Sequence, residues 1–188
     1  MKKIKIALLD NNDSFTYNIV DYLRRIENID FKVIKTNETG VNEVEPFDKI
    51  IISPGPGLPG DFPEIFDILE KYHTCKHILG ICLGCQAIGN FFGAKLINIF
   101  PVVHGQTVQI KRIKQSPIFK NLPASFPVGL YHSWAIDLQD FPAEMEITAL
   151  SENDIIMSIA SKKYSVWGIQ FHPESYLTEY GFEILNNF

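Results

Sequence analysis

Along the first half of the chain, short apolar runs alternate with stretches of helical periodicity. Ile4–Asp10 is short, apolar and β-branched in places, which predicts a buried strand. Phe15, Ile19, Tyr22, Leu23 and Ile26 then fall on one helical face, with Asp13 or Ser14 placed to cap that helix. Phe31–Lys35 and Lys49–Ile52 are the next strands, the latter running into Ser53-Pro54-Gly55-Pro56-Gly57. Pro63 suits the first turn of a helix over Glu64–Tyr72. His77–Ile81 is a fourth strand, followed by a helix near Cys85–Phe92 that Gly93 ends.

The second half changes period. Thr107–Ile113, Val128–His132, Glu146–Leu150, Ile155–Ala160 and Ser165–Phe171 read as strands with short connections, and Thr178 is placed to cap a last short helix through Leu185. The β-α-β-α order predicts an α/β fold with a mixed, mostly parallel central sheet flanked by helices. The later strands are expected as a smaller antiparallel addition to it, within one domain spanning residues 1–188. Ligands of such sheets bind outside the carboxyl ends of the strands. Three motif-bearing turns lie there: Asp10–Ser14, Ser53–Gly57 and Cys82–Gln86.

Composition narrows the classes. A net charge of -5 argues against a nucleic-acid protein, which carries a basic field. No apolar run approaches the ~20 residues of a membrane span, and the charged opening does not resemble a secretion signal. Three cysteines do not make a disulfide scaffold, so the cytoplasm is the expected compartment.

Two of those cysteines sit in Gly80-Ile81-Cys82-Leu83-Gly84-Cys85-Gln86. Structural zinc needs a closed set of four ligands, and only one C-x-x-C is present beside His73, Cys75 and His77. A dithiol redox motif usually opens the first strand–helix unit, whereas this one follows several. The third reading is Gly-x-Cys-x-Gly between strand and helix, the cysteine form of a nucleophile elbow. The turn strains the nucleophile, the flanking glycines relieve crowding, and the helix N-terminus favours negative charge. The Leu83 N–H, next to the nucleophile, is then an oxyanion donor. The elbow alone is ambiguous, since glycine and cysteine both suit buried turns. A nucleophilic cysteine also needs a base and an orienting group. Gln170-Phe171-His172-Pro173-Glu174-Ser175 supplies them, His172 as base and Glu174 beside it. Taken as extended chain, i and i+2 project to one side, which brings Glu174 to the imidazole.

At this point the sequence resembles the class I (triad) glutamine amidotransferases. Gly-Ile-Cys-Leu-Gly-x-Gln, Phe-His-Pro-Glu-Ser and Ser-Pro-Gly-Pro-Gly-Leu-Pro carry the likeness, which runs in order from Ile4 to Phe188. The opening Asp-Asn-Asn-Asp-Ser-Phe-Thr-Tyr-Asn, together with Val-Val-His-Gly-Gln and Tyr-His-Ser-Trp, is similar to the amidotransferase components of anthranilate and para-aminobenzoate (aminodeoxychorismate) synthases. The resemblance implies a flavodoxin-like sheet and hydrolysis of glutamine through a Cys82 thioester, with His172 moving the proton. It implies ammonia delivery to a chorismate-binding synthase subunit. No cofactor or metal is expected in this subunit, and magnesium is expected in that partner. By position Gly57 matches a second oxyanion donor beside Leu83, and Gly55, Gln86, Ser133 and Trp134 match glutamine-contacting residues. Another triad amidotransferase subunit or a free-standing γ-glutamyl hydrolase is the alternative. The sequence departs from the pattern at Asn12, Cys85, Leu130 and Trp134, where tyrosine, histidine or methionine, arginine and leucine are common. Cys85 is read as a small apolar filler, with oxidative pairing to Cys82 as a lesser alternative.

Overall fold

A computed structural model describes residues 3–188, with residues 101–103, where the Val-Val-His-Gly-Gln motif begins, described by backbone alone. Among the described residues, nine strands form a single sheet. They are β1 (Ile4–Asp10), β2 (Ile29–Lys35), β3 (Lys49–Ile52), β4 (His77–Ile81), β5 (Leu96–Arg112), β6 (Ser125–Ile136), β7 (Met145–Ser151), β8 (Ile156–Ser161) and β9 (Val166–Ile169). The helices are α1 (Thr16–Arg25), α2 (Pro63–Tyr72), α3 (Leu83–Phe91) and α4 (Gly181–Asn187). No helix among the described residues is long and apolar enough to cross a membrane.

The sheet order is β2-β1-β3-β4-β9-β8-β7-β5-β6. β2, β1, β3, β4 and β9 run parallel, and β9, β8, β7, β5 and β6 pair antiparallel. Alternate residues of one strand serve the cores on opposite faces. Ile6 and Leu8 of β1 join α1 and α4 on one side, while Ala7 and Leu9 join α2 and α3 on the other. Parallel strands covered on both faces need the near-continuous apolar runs that β3 and β4 display.

Several local boundaries differ from the sequence expectation. Helix α1 has Phe15 at its N-cap and no side-chain cap. Asp13 instead accepts the Phe15 N–H at 2.7 Å, closing a turn ahead of the helix. Helix α3 begins at Leu83, directly after the cysteine, rather than near Cys85. Thr178 does not cap α4, whose N-cap is Tyr180 in the left-handed region.

The largest difference is the β5–β6 hairpin, which runs far beyond the predicted cores of its strands. It carries register shifts between Asn98 and Val103 and between His104 and Gln106, and Gly105 there has φ +66°. Bulges bend a strand, and an alternating pattern interrupted by bulges no longer reads as one strand. The bend has a consequence for position. β6 lies at the far edge of the sheet, yet Gly129 accepts the His172 N–H at 3.1 Å, and the Trp134 carbonyl reaches a side chain of α3. The hairpin thus folds back over the carboxyl ends of β3, β4 and β9.

Candidate active site

The site is built where β4 turns into α3. Cys82 occupies that turn with φ 51° and ψ −102°, a conformation that a non-glycine residue holds only at a cost of about 1–3 kcal/mol. Backbone bonds on both sides impose it. The Cys82 N–H donates to the Ile169 carbonyl of β9 at 2.8 Å, and the Cys82 carbonyl accepts the Gln86 N–H at 3.0 Å. The flanking glycines are required by contact. A Cβ on Gly80 would lie 2.3 Å from the Gly84 carbonyl, and one on Gly84 would lie 2.5 Å from the Ile52 carbonyl. The turn is thus wedged between its own helix and β3. As the first helical residue, Leu83 has an N–H without an intrahelical acceptor.

The loop after β3 is held against this elbow by Asn11 of the β1 turn. Asn11 donates through Nδ2 to the Ser53 carbonyl at 2.8 Å, and its Oδ1 accepts the Thr36 hydroxyl at 2.6 Å. A Cβ on Gly55 would lie 2.5 Å from Leu83 Cδ2, so loop and elbow are in close contact.

His172 and Glu174 come from the segment after β9. His172 Nδ1 lies 2.7 Å from Glu174 Oε1, and both side chains are buried. The expectation that they meet along extended chain is corrected. β9 ends at Ile169, and His172–Ser175 is a turn closed by the Ser175 N–H donating to the His172 carbonyl at 3.2 Å. Pro173 stands at its second position, where its fixed φ suits the turn. The His172 ring is packed against Phe15 at 5.1 Å and Tyr131 at 4.9 Å between ring centroids. Burial opposes its charge, but the neighbouring Cys82 sulfur and Glu174 carboxylate outweigh that and hold His172 well above the ordinary imidazole range. Among the described residues its Nε2 is buried without a nitrogen or oxygen partner, and it is the ring nitrogen that Glu174 leaves free toward the neighbouring Cys82.

The carboxyl-end loops and the folded-back hairpin enclose a cleft of about 160 Å³. Gly55, Gly57, Cys82, Leu83, Gln86, Ser133 and Trp134 line it, and His172, paired with Glu174, neighbours Cys82. The structure therefore gathers into one place the residues singled out from the sequence. Pro56, Tyr131 and His132 line it too. His132 is fixed by Nδ1 donating to the Trp134 carbonyl at 2.9 Å. Burial, aided by nearby His172 and opposed by that hydrogen bond, lowers it to about 4, so it is neutral at pH 7.

Sequence reasoning left out Phe15, Tyr131, Gln170 and Thr178. Gln170 donates from Nε2 to Cys82 Sγ at 3.6 Å, and Thr178 donates to the His172 carbonyl at 2.6 Å. Phe15 looked like one more apolar position of a helix face, and Thr178 like a cap. Tyr131 stood beside His132 and Gln170 two residues before His172, which was the one signal available.

The remaining motif residues lie elsewhere. Cys85 packs into the core on the face opposite Cys82, where its Sγ would meet a Cβ on Gly168 at 2.7 Å. Burial, with the nearby Cys82, raises its thiol well above the ordinary range. His73 donates from Nδ1 to the Leu69 carbonyl and packs among Phe91, Phe92 and Tyr164. No group of three or more metal-ligating side chains converges among the described residues.

A cysteine on a strained strand–helix turn, with a histidine–carboxylate pair from a distant turn, is an arrangement suited to nucleophilic acyl transfer. The profile of the family described as "Glutamine amidotransferase class-I" matches residues 7–188, and the chain belongs to that family. It is 40% identical over 186 residues to the anthranilate synthase component 2 of Pyropia yezoensis, a match covering 97% of both chains. It is 43% identical over 184 residues to a Haemophilus influenzae protein provisionally described as an anthranilate synthase component II, covering 98% of this chain and 95% of that one. Among solved structures, a candidate GMP synthase component from Thermoplasma acidophilum superposes with a TM-score of 0.89 at 25% identity, covering 100% of this chain and 92% of that one.

Proposed function

We propose that this chain is the glutamine-hydrolysing component of an anthranilate synthase, supplying ammonia to a chorismate-binding synthase subunit. The observation that carries the chemistry is Cys82 on its strained turn with the buried His172–Glu174 pair beside it. What supports the assembly is near full-length similarity to proteins named anthranilate synthase component 2.

Glutamine enters the cleft with its side-chain amide at Cys82. Gly55, Gln86, Ser133 and Trp134 contact its amino-acid end. The Cys82 thiolate attacks the amide carbon, and the Leu83 and Gly57 N–H groups receive the charge that moves onto oxygen. His172, held protonated by its two anionic neighbours, gives its Nε2 proton to the departing amine, and ammonia leaves. A glutamyl thioester remains on Cys82. Neutral His172 then takes a proton from water as the water attacks, the electron pair of the C–S bond returns to sulfur, and glutamate departs. Glu174 accepts the His172 Nδ1–H throughout and keeps Nε2 aimed at the reacting atoms. The three side chains supply all the proton and nucleophile chemistry, so this half-reaction calls for no metal or cofactor. Magnesium is assigned to the chorismate-binding partner.

The decisive experiment is reconstitution with candidate synthase subunits. The wild-type chain should support glutamine-dependent anthranilate formation from chorismate. Cys82→Ala should abolish it while the same complex still uses ammonium. Glutamine-dependent turnover surviving in Cys82→Ala would sink the assignment. Product formation only with an aminodeoxychorismate-forming subunit would move the chain to that pathway.

A further inference from the structure

Cys82 Sγ has a buried amide on its inner side. Gln170 has no exposed surface and donates from Nε2 to Sγ at 3.6 Å. Its Oε1 accepts from Gln86 Nε2 at 3.1 Å, and that same Nε2 donates to the Trp134 backbone carbonyl at 2.8 Å. We propose that Gln170 is a positioning residue for the nucleophile, presenting an N–H to the Cys82 sulfur in an orientation that the Trp134 carbonyl dictates through Gln86. This deepens the glutaminase reading, in which Cys82 is the nucleophile.

The polarity of the chain follows from its anchor. A side-chain amide can turn over, but a backbone carbonyl in a strand cannot become a donor. The Trp134 oxygen therefore requires a Gln86 N–H, since a turned Gln86 would set oxygen against oxygen. With Gln86 so placed, its second N–H faces Gln170 and demands an acceptor. Gln170 must then direct its own N–H at the sulfur. Turning Gln170 alone would oppose two donors at Gln86 and set a carbonyl oxygen against a sulfur that must carry negative charge.

An N–H directed at sulfur does two things in the reaction. It favours the thiolate and fixes its direction before attack. It does so again when the thioester C–S bond breaks and the electron pair returns to sulfur. The same chain ties the sulfur to β6, because Trp134 stands on the hairpin that closes the cleft. The resemblance identified Gln86 and Trp134 only as substrate contacts. The geometry adds that both orient the nucleophile from behind.

Two variants of matched length test this in the full chain: Gln170→Met, which removes donor and acceptor, and Gln170→Glu, which keeps the acceptor toward Gln86 but turns an oxygen to the sulfur. The readout is the rate of Cys82 alkylation by iodoacetamide against pH, with mass spectrometry separating Cys82 from exposed Cys75. The alkylation midpoint should rise in both variants, more in Gln170→Glu, and kcat for glutamine hydrolysis should fall about tenfold or more with a much smaller change in KM. A purely structural residue would lower thermal stability and activity without moving the midpoint. An unmoved midpoint in a folded variant overturns the proposal. Should Gln170→Met fail to fold, Gln170→Glu decides by the same curve. Alkylation needs neither glutamine nor a synthase partner. An unmoved midpoint therefore removes the Gln170 role and leaves the glutaminase reading standing, whereas a shifted midpoint without glutamine hydrolysis does the reverse.

Discussion

Thr178 binds the backbone of His172: its hydroxyl donates to the His172 carbonyl at 2.6 Å while accepting the Gly129 N–H at 2.9 Å. One buried oxygen thereby joins the histidine turn to the folded-back hairpin. Thr178→Val keeps the shape and leaves two buried backbone groups without that partner, which should cost about 1–3 kcal/mol. Denaturant unfolding should show the loss, with kcat reduced because His172 is no longer held. A variant as stable as wild type would refute the bracing role.

Glu174 contributes charge as well as aim. Burial opposes protonation of His172, and Cys82 and Glu174 together reverse that. Glu174→Gln should therefore lower the His172 titration midpoint, followed by NMR of the ring proton, and reduce kcat at least ~10-fold. The linked stability has a definite sign. With the folded value raised, the His172 contribution is full below about 6.5 and is lost as pH rises through the folded value. The variant should show that decline at lower pH, and with smaller size, than wild type. An unchanged midpoint would mean that Glu174 only positions the ring.

His132 works in the opposite sense. Burial brings it to about 4, so the unfolded chain binds a proton in the window between about 4 and 6.5 where the folded chain does not. Stability should fall as pH falls across that window, by up to about 3 kcal/mol from this group. His132→Gln should flatten the slope in urea unfolding series over that range. A slope identical to wild type would exclude His132 as its source.

The elbow tolerates no side chain at its glycines. Gly84→Ala would press a methyl to 2.5 Å from the Ile52 carbonyl, which is backbone and cannot rotate away. A loss of at least about 3 kcal/mol, or an insoluble product, is expected. Wild-type thermal stability in Gly84→Ala would show that the close approach is relaxed in solution.

The parallel half of the fold was legible because a strand buried on both faces is a continuous apolar run, and such runs are local in sequence. Lys49–Ile52 and His77–Ile81 appear as strands at the expected positions. The elbow was legible because its residues stand at short spacing and one of its steric demands, Gly80 against the Gly84 carbonyl, is local, although that of Gly84 is against Ile52 of β3. The β5–β6 hairpin was only partly legible, because its bulges break the alternation that identifies a strand.

By itself the sequence determined the candidate cysteine elbow, the candidate histidine–carboxylate pair and the alternation of strand and helix, since each depends on residue type at short spacing. The tertiary structure alone decided that His172 meets Glu174 through a proline turn rather than along a strand. It alone separated Cys85 from Cys82 onto opposite faces of the sheet. It also brought Trp134, Gln86 and Gln170 into one hydrogen-bonded chain that ends at the sulfur. Those outcomes depend on strand order and on the bend of a long hairpin. Contacts between residues 48 and 84 positions apart leave no local period by which a sequence could show them.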